Sequence, residues 1–418
     1  MKETKFKDTE IGKIPEEWRI CNFGDIFTFF SNNTLSRDML GERGDMHNVH
    51  YGDVLIKYGS TLDVEKESIP SIKEEYCYKS TNKIEDGDVI IADTAEDETV
   101  GKACEILNVG SRYIVSGLHT IWVRPKGNLF AAKYLGYAMN GTTYHNQLMP
   151  LIQGTKVSSI SKAAIKDTCI IVPPINEQHR IASALTSIDN LISSLGKLTE
   201  KKNNIKQGTM QQLLTGKTRL KGFTKPWVYR KISEIATTSS GGTPSRSIPS
   251  YYYGDIKWFT TTELKDNYLY DSVEHITREA LSNSSAKMFS ANTILMAMYG
   301  ATIGKLGILK EPSATNQACC AIKCNDIDEI FLFYILLYNR KSIIEKGCGA
   351  GQPNISQTIV NELSFLVPPC KKEQQAIANI LSKMDNDITA LEAKRAKYEA
   401  IKQGMMQQLL TGKIRLIS

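Results

Sequence analysis

No stretch of this 418-residue chain approaches the ~20 consecutive apolar residues that span a bilayer. Its opening, MKETKFKDTEIGKIPEEW, has no apolar signal core. Histidine is scarce: of six, only His47 and His50 stand close together, and no third ligand has a suitable spacing, so they read as part of a polar loop. The nine cysteines are odd in number. Cys21, Cys77, Cys104, Cys169, Cys348 and Cys370 are scattered, and the one cluster, Cys319-Cys320-Cys324, has no second pair at zinc-ligand spacing. These features predict reduced thiols in an intracellular, cytoplasmic protein with no membrane association and no metal site. Charge of one sign is also lacking: 51 Lys and Arg against 45 Asp and Glu leave a net +6, which permits a polyanionic partner without demanding one.

Catalytic constellations are missing too. Val172-Pro173-Pro174-Ile175 and Val367-Pro368-Pro369-Cys370 lack the Asn or Asp that grips the target amine in the Asn/Asp-Pro-Pro-aromatic motif of amino-methyltransferases. GATIGKL at 300–306 has too few residues between its glycines for a phosphate loop and no Ser or Thr after Lys305, and Thr215-Gly216-Lys217-Thr218 has Gln at 211 where the upstream Gly is needed. There is no Gly-x-Ser-x-Gly elbow and no Pro-Asp pair to begin a nuclease-type carboxylate set. The chain is expected to have no catalytic residues of its own.

What the sequence does have is an internal repeat. IKQGTMQQLLTGKTRL at 205–220 returns as IKQGMMQQLLTGKIRL at 401–416, identical at 14 of 16 positions with an offset of 196. The match extends upstream through Pro173-Pro174 and Glu177-Gln178, which correspond to Pro368-Pro369 and Glu373-Gln374. The segments before these are related more faintly: Trp18 and Ile26 align with Trp227 and Ile235, Tyr51-Gly52-Asp53-Val54 with Tyr253-Gly254-Asp255-Ile256, and Gly101-Lys102 with Gly304-Lys305. Four segments follow: a module over 1–172, a helix over 173–221, a module over 222–367 and a helix over 368–418. Their order is cyclic, which predicts a pseudo-two-fold object with its termini close together.

After each Pro-Pro pair the apolar residues fall at heptad spacing. The predicted seam is Ile181, Leu185, Ile188, Ile192, Leu195 and Ile205 in the first helix, and Ile377, Leu381, Met384, Ile388, Leu391, Tyr398 and Ile401 in the second. The prolines must precede the helices, Asn176 is a candidate N-cap, and Gly216 and Gly412 are natural stops. Residues 177–214 would span roughly 57 Å. Antiparallel pairing of the two helices and packing of each on its own module are both open. The later, basic part of each helix (Lys197, Lys201, Lys202, Lys206, Lys217, Arg219 and Lys221; Lys394, Arg395, Lys397, Lys402, Lys413 and Arg415) suits either DNA phosphates or a solvated face.

Each module mixes apolar runs with Gly-rich turns. Strands are predicted at 86–93, 119–125, 292–300 and 317–324, and helices at 130–141 and 330–341, an α+β pattern. Polar segments suited to reading nucleic acid lie at 49–60 and 239–263. With neighbouring loops they supply the candidate DNA contacts Lys57, Tyr58, Lys156, Thr243, Arg246, Lys257, Thr260, Thr261, Tyr299 and Gln317.

GKIPEEW near the start, GGTPS at 241–245, YYYGDIKWF at 251–259, MYGATIGK at 298–305 with NQA at 316–318, and the two Val-Pro-Pro segments ending in QQLLTGK together resemble the specificity subunit of type I restriction-modification enzymes, over essentially the whole chain. The resemblance implies two α/β target recognition domains joined and separated by two helices in an antiparallel coiled coil. Each domain would read one half of a bipartite double-stranded DNA target, and the helices would set the spacer. The implied partners are two methyltransferase subunits that methylate adenine with S-adenosylmethionine, and translocase–nuclease (restriction) subunits that need ATP and magnesium. The chain itself would bind none of these cofactors. The first module departs from the pattern, having no clear GGTPS counterpart in FFSNNTLSRDML at 29–40, and DETVGK in place of GATIGK.

Overall fold

The computed structural model describes residues 4–80, 82–154, 156–347 and 354–417; Cys348 lies outside them. The chain forms two compact units, Met1–Gly196 with Lys394–Ser418, and Lys197–Ala393. Each unit therefore holds one module, the first half of the long helix that follows it, and the second half of the other long helix.

In the first unit a five-stranded sheet has the order Phe27–Phe30, Thr120–Pro125, Val89–Ala92, Ala103–Leu107, Thr61–Asp63, with only the last pair parallel. All four residues of Val89–Ala92 are buried, because both faces of this central strand are covered. Val89 and Ile91 pack with Phe23 and Phe27, while Ile90 and Ala92 pack with Val49 and Trp122. The second unit repeats the order with Ala236–Ser240, Cys319–Cys324, Ile294–Ala297, Leu306–Leu309 and Asn267–Leu269. Its central strand, Ile294–Ala297, is likewise fully buried. All four predicted strands are thus present.

The second sheets of the two modules share three strands and differ at their outer edges. A parallel pair is common to both: Met46–Val49 with Tyr113–Ser116, and Ile256–Phe259 with Ser313–Thr315. In the first unit Ser71–Ile72 and then Leu40–Gly41 extend the sheet beyond Met46–Val49. In the second, Glu274–Ile276 lies beside Ile256–Phe259, and Met288–Phe289 lies on the opposite edge.

These registers correct one alignment. Ser116 faces Val49 and Thr315 faces Phe259, so Val49 corresponds to Phe259. Tyr51-Gly52-Asp53 therefore follows its strand, whereas Tyr253-Gly254-Asp255 precedes its own, and the shared letters are not equivalent positions. Gly101-Lys102 and Gly304-Lys305 do correspond: Gly101 donates to the Ala92 carbonyl and Gly304 to that of Ala297.

The short helices differ from expectation in the first unit. Over 130–141 only Tyr134–Ala138 is helical. Gly136 passes so close to the Ser60 carbonyl that a Cβ would lie 2.0 Å from it. The second unit has the longer helix, Glu329–Tyr338, capped by the Asp328 carboxylate on the Ile330 and Phe331 amides.

The long helices run Ile175–Leu214 and Lys371–Leu409. Asn176 lies inside the first turn and is not the cap; the Glu177 and Gln178 amides both bond to the Pro174 carbonyl. Gly216 and Gly412 stop the helices with φ of +69° and +70°, and the Thr218 and Ile414 amides return to the Gln212 and Gln408 carbonyls.

The predicted seam is buried at Ile181, Leu185, Ile188, Leu195, Ile377, Leu381 and Ile388, and half-buried at Ile192, Met384, Leu391 and Tyr398. It fails at Ile205 and Ile401, which are exposed at 47% and 39%. In their stead Met210, Leu213 and Leu214, and Met406, Leu409 and Leu410, are buried. The physical reason is that these turns pack on a module. Met406, Leu409 and Leu410 join Trp18, Tyr134, Tyr137, Ile181 and Leu185, and Met210, Leu213 and Leu214 join Phe331, Ile335, Ile377 and Leu381. Both open readings are therefore realised: within each unit two helix halves pack antiparallel, and both pack on the module.

Candidate nucleic-acid interface

The repeated Glu-Gln pair is the joint between helix and module. In the first unit Glu177 accepts from Trp18 Nε1 at 2.9 Å, from Arg415 Nε and a terminal nitrogen at 2.8 and 2.9 Å, and from the Leu416 amide at 3.2 Å. In the second, Glu373 accepts from Trp227 Nε1 at 3.2 Å and from Arg219 at 2.8 and 3.0 Å. Both arginines lie 5.6 Å from the tryptophan ring centre. Burial pushes the Glu177 carboxyl up, but the hydrogen bonds from Arg415 and Trp18 outweigh it and hold the group below the usual carboxylate range. Beside it, Gln178 donates to the Pro173 carbonyl and accepts from the Ala131 amide; Gln374 does the same with Pro368 and Asp328. This is why Val-Pro-Pro and Glu-Gln recur together: one binds the other.

A second duplicated contact ties the helices. Tyr137 donates to Asp189 at 2.8 Å, and Lys402 pairs with Asp189 at 2.7 Å. Tyr334 donates to Asp385 at 2.6 Å, and Lys206 pairs with Asp385. Lys202 adds a pair with Asp387 at 3.2 Å. Arg219, Arg415, Lys206 and Lys402, counted above among the basic helix residues, are thus occupied in holding each unit together.

The loop that leaves the first strand of each five-stranded sheet carries GGTPS in the second module. The strand registers show that the first module does have a GGTPS counterpart. Phe30 faces Trp122 and Ser239 faces Ala321 at corresponding points of the five-stranded sheet. The Asn33 amide bonds to the Ser116 carbonyl at 2.9 Å, as the Gly242 amide bonds to that of Thr315 at 2.9 Å. Asn32-Asn33-Thr34-Leu35-Ser36-Arg37 therefore occupies the place of Gly241-Gly242-Thr243-Pro244-Ser245-Arg246. Glycine is required in the second unit: a Cβ on Gly241 would lie 2.1 Å from the Thr315 carbonyl oxygen, and one on Gly242 2.3 Å from Ser285 backbone. In the first unit Asn32 instead reaches the Gly117 carbonyl with its side chain at 3.2 Å. Sequence reasoning missed Arg37 because the two glycines dominated the motif; Thr-x-Ser-Arg was the signal.

The candidate contacts fall out as follows. Thr243 and Gln317 are joined by a side-chain hydrogen bond, and Arg246 pairs with Glu274 in the same unit. Arg246 also stacks on Tyr252 at 4.1 Å and Trp258 at 5.3 Å. Lys257 bonds to Glu311 at 3.0 Å, and Thr260 caps a turn through Glu263 at 2.8 Å. Thr261 is half-buried, while Lys156 and Tyr299 are exposed. Lys57 is exposed but bonded to Ser68. Tyr58 is a correction: at 1% exposure it packs with Val54, Leu62 and Trp122 in the core, out of reach of any base. Two amide atoms near the loops are buried without a partner among the described residues, Asn48 Nδ2 and Asn316 Oδ1.

The fold defines a duplicated α+β class in which each unit joins one module to two antiparallel helix halves. The chain belongs to the type I restriction-modification DNA specificity domain family, whose description matches residues 15–207 and 224–403. It is 27% identical over 451 residues to the type I restriction enzyme MjaVIII specificity subunit of Methanocaldococcus jannaschii, covering 99% of this chain and 97% of that one. Its fold is similar to the type I restriction-modification S subunit of M. genitalium, with a TM-score of 0.59 and 14% identity over 94% and 96% of the two chains. A second structure, describing complex assembly and conformational transition of the type I system, gives 0.56 and 16% over 96% and 99%. Specificity subunits are non-catalytic members of their systems, in keeping with the Glu-Gln pair's role as a joint. Among the described residues no helix is long and apolar enough to cross a membrane.

Proposed function

We propose that each module reads one half of a bipartite double-stranded DNA target and that the paired helices set the unspecified spacer between the halves. Two methyltransferase subunits bring S-adenosylmethionine to adenine in each half, restriction subunits bring ATP and magnesium, and this chain binds none of those cofactors. The observation that carries the reading is unequal duplication. The Trp-Glu-Arg joint and the Tyr-Asp-Lys contact are the same in both units, as two like partners would require, whereas the outer strands of the second sheets and the exposed loops differ, as two different half-sites would require. The test is methylome sequencing of cells carrying this chain with its methyltransferase subunit. A two-part methylated motif with a fixed gap is expected; a continuous motif would overturn the reading. Inserting one heptad within 177–214 should lengthen the gap or abolish function and leave both half-sites unchanged.

A further inference from the structure

The structure assigns Arg37 and Arg246 as a matched pair of base-reading arginines, one in each module, each donating to the acceptor edge of a guanine in its own half-site. This rests on the DNA-reading function proposed above and names the residues and the base it implies.

The two arginines stand at the same register of the same loop. Each is more than half exposed, at 59% and 55% of its side chain, and each is held by a carboxylate that is less exposed than itself. Those carboxylates come from different places. Asp53 lies in the short helix after the Met46–Val49 strand, and Glu274 lies in the strand antiparallel to Ile256–Phe259, whose place in the first unit is taken by Ser71–Ile72. The pairing of a loop arginine with a carboxylate has thus been kept while the element supplying the carboxylate changed.

The pairing also decides what the guanidinium is suited to bind. A phosphate contact draws on net positive charge, and a carboxylate beside the guanidinium cancels that charge and repels the phosphate. A base contact draws on direction: a planar fork must present its remaining N–H groups in a fixed plane. Arg246 is fixed in this way by two hydrogen bonds to Glu274 and by stacking on Tyr252 and Trp258. Arg37 is fixed through one terminal nitrogen on Asp53, leaving the rest of its fork free of that partner. A fork of N–H donors matches the O6 and N7 acceptors of guanine in the major groove.

The experiment uses the full chain assembled with its methyltransferase subunits. Methyl transfer is measured on duplexes carrying the wild-type motif and every single-base change in it. Arg246→Lys and Arg246→Ala should each lower discrimination at one G·C position of a single half-site, by about 5- to 150-fold, with the other half-site read as before. Arg37→Lys and Arg37→Ala should do the same in the other half-site. The salt dependence of binding should keep its slope. Glu274→Gln and Asp53→Asn, which retain the arginine and loosen its plane, should give a smaller loss at the same position. A continuous wild-type motif overturns the bipartite reading and this inference with it. A bipartite motif that the arginine variants read unchanged overturns the inference alone, as does a uniform loss over all sequences with a shallower salt slope, the mark of a phosphate contact. A lowered unfolding temperature with discrimination intact would reduce the arginines to structural pairs.

Discussion

Both units fasten a module to a helix with a buried glutamate, and they do so with the same three side chains at nearly the same distances. A short way along the same chain, the loops at Asn32–Arg37 and Gly241–Arg246 share register and Thr-x-Ser-Arg, but the two residues before it are held in different ways. In one, two asparagines reach neighbouring backbone with their side chains; in the other, two glycines let the backbone touch backbone directly. The contrast shows where sequence change is tolerated. A joint built from a buried ion pair fails if any member changes alone, because the remaining charge is left without a partner. A loop held by backbone hydrogen bonds can exchange its side chains as long as those bonds persist.

The largest expected effect tests the joint. Glu177→Ala would leave Arg415, whose side chain is 7% exposed, with only the solvent-screened Glu17, itself 69% exposed; Glu373→Ala would leave Arg219, which is 27% exposed, without its carboxylate. Each should destabilise the chain by about 3–5 kcal/mol in denaturant unfolding, with the first at the upper end because its arginine is less hydrated. Equal losses would mean that exposure of the arginine is immaterial. The same joint sets an acid limit. The folded Glu177 carboxyl sits below its ordinary value, so its contribution is present above that value and is lost as pH falls through the lowered folded pKa. Acid unfolding of the Glu177→Gln chain should show less pH dependence over that range.

Next in size is the loop contrast. Gly241→Ala and Gly242→Ala force a methyl against backbone atoms that cannot move aside, and should cost about 1–3 kcal/mol by the measure of overpacked cores. Asn32→Ala and Asn33→Ala remove side-chain hydrogen bonds only, and should cost about 0.5–1.5 kcal/mol. Thermal unfolding of the four variants gives the comparison, and equal shifts would count against the equivalence of the two loops.

How much of this was legible in the sequence depends on whether the signal was local. The central strands, the helix stops at Gly216 and Gly412 and the upstream seam were, since periodicity and glycine report on the residue that bears them. The joint was visible only as a repeated pattern: nothing in Glu177-Gln178 says that its partners are Trp18 and Arg415, nearly the whole chain apart in sequence. The seam failed at Ile205 and Ile401 because a heptad pattern presumes a helix facing one partner, and these turns face a module as well. Tyr51-Gly52-Asp53 misled for the opposite reason: identical letters fell on opposite ends of equivalent strands, and only pairing with Tyr113–Ser116 fixed the register.

The smallest effect probes a difference buried inside the five-stranded sheets. Glu105 is 1% exposed where the second unit has Ile308 at the same register, and it binds the Lys133 and Gly136 amides at 2.6 and 2.9 Å. Burial pushes its carboxyl up to about 7, against the pull of those amides. A carboxyl raised on folding binds its proton more tightly in the folded chain. Its contribution is therefore fully present below its ordinary pKa and declines as pH rises towards 7. In the second unit Asp328 caps the corresponding helix from its own N-terminus, and Ile308 carries no proton to lose. Hydrogen exchange followed from pH 5 to 8, corrected for the intrinsic rate, should therefore show protection at Lys133–Ala138 falling with pH while that at Glu329–Tyr338 holds. Glu105→Gln keeps an acceptor for one of the two amides and has no proton to give up. It should flatten the pH dependence of the first helix and leave the second unchanged; a wild-type first helix already flat over this range would show that the two amides fully compensate the buried charge.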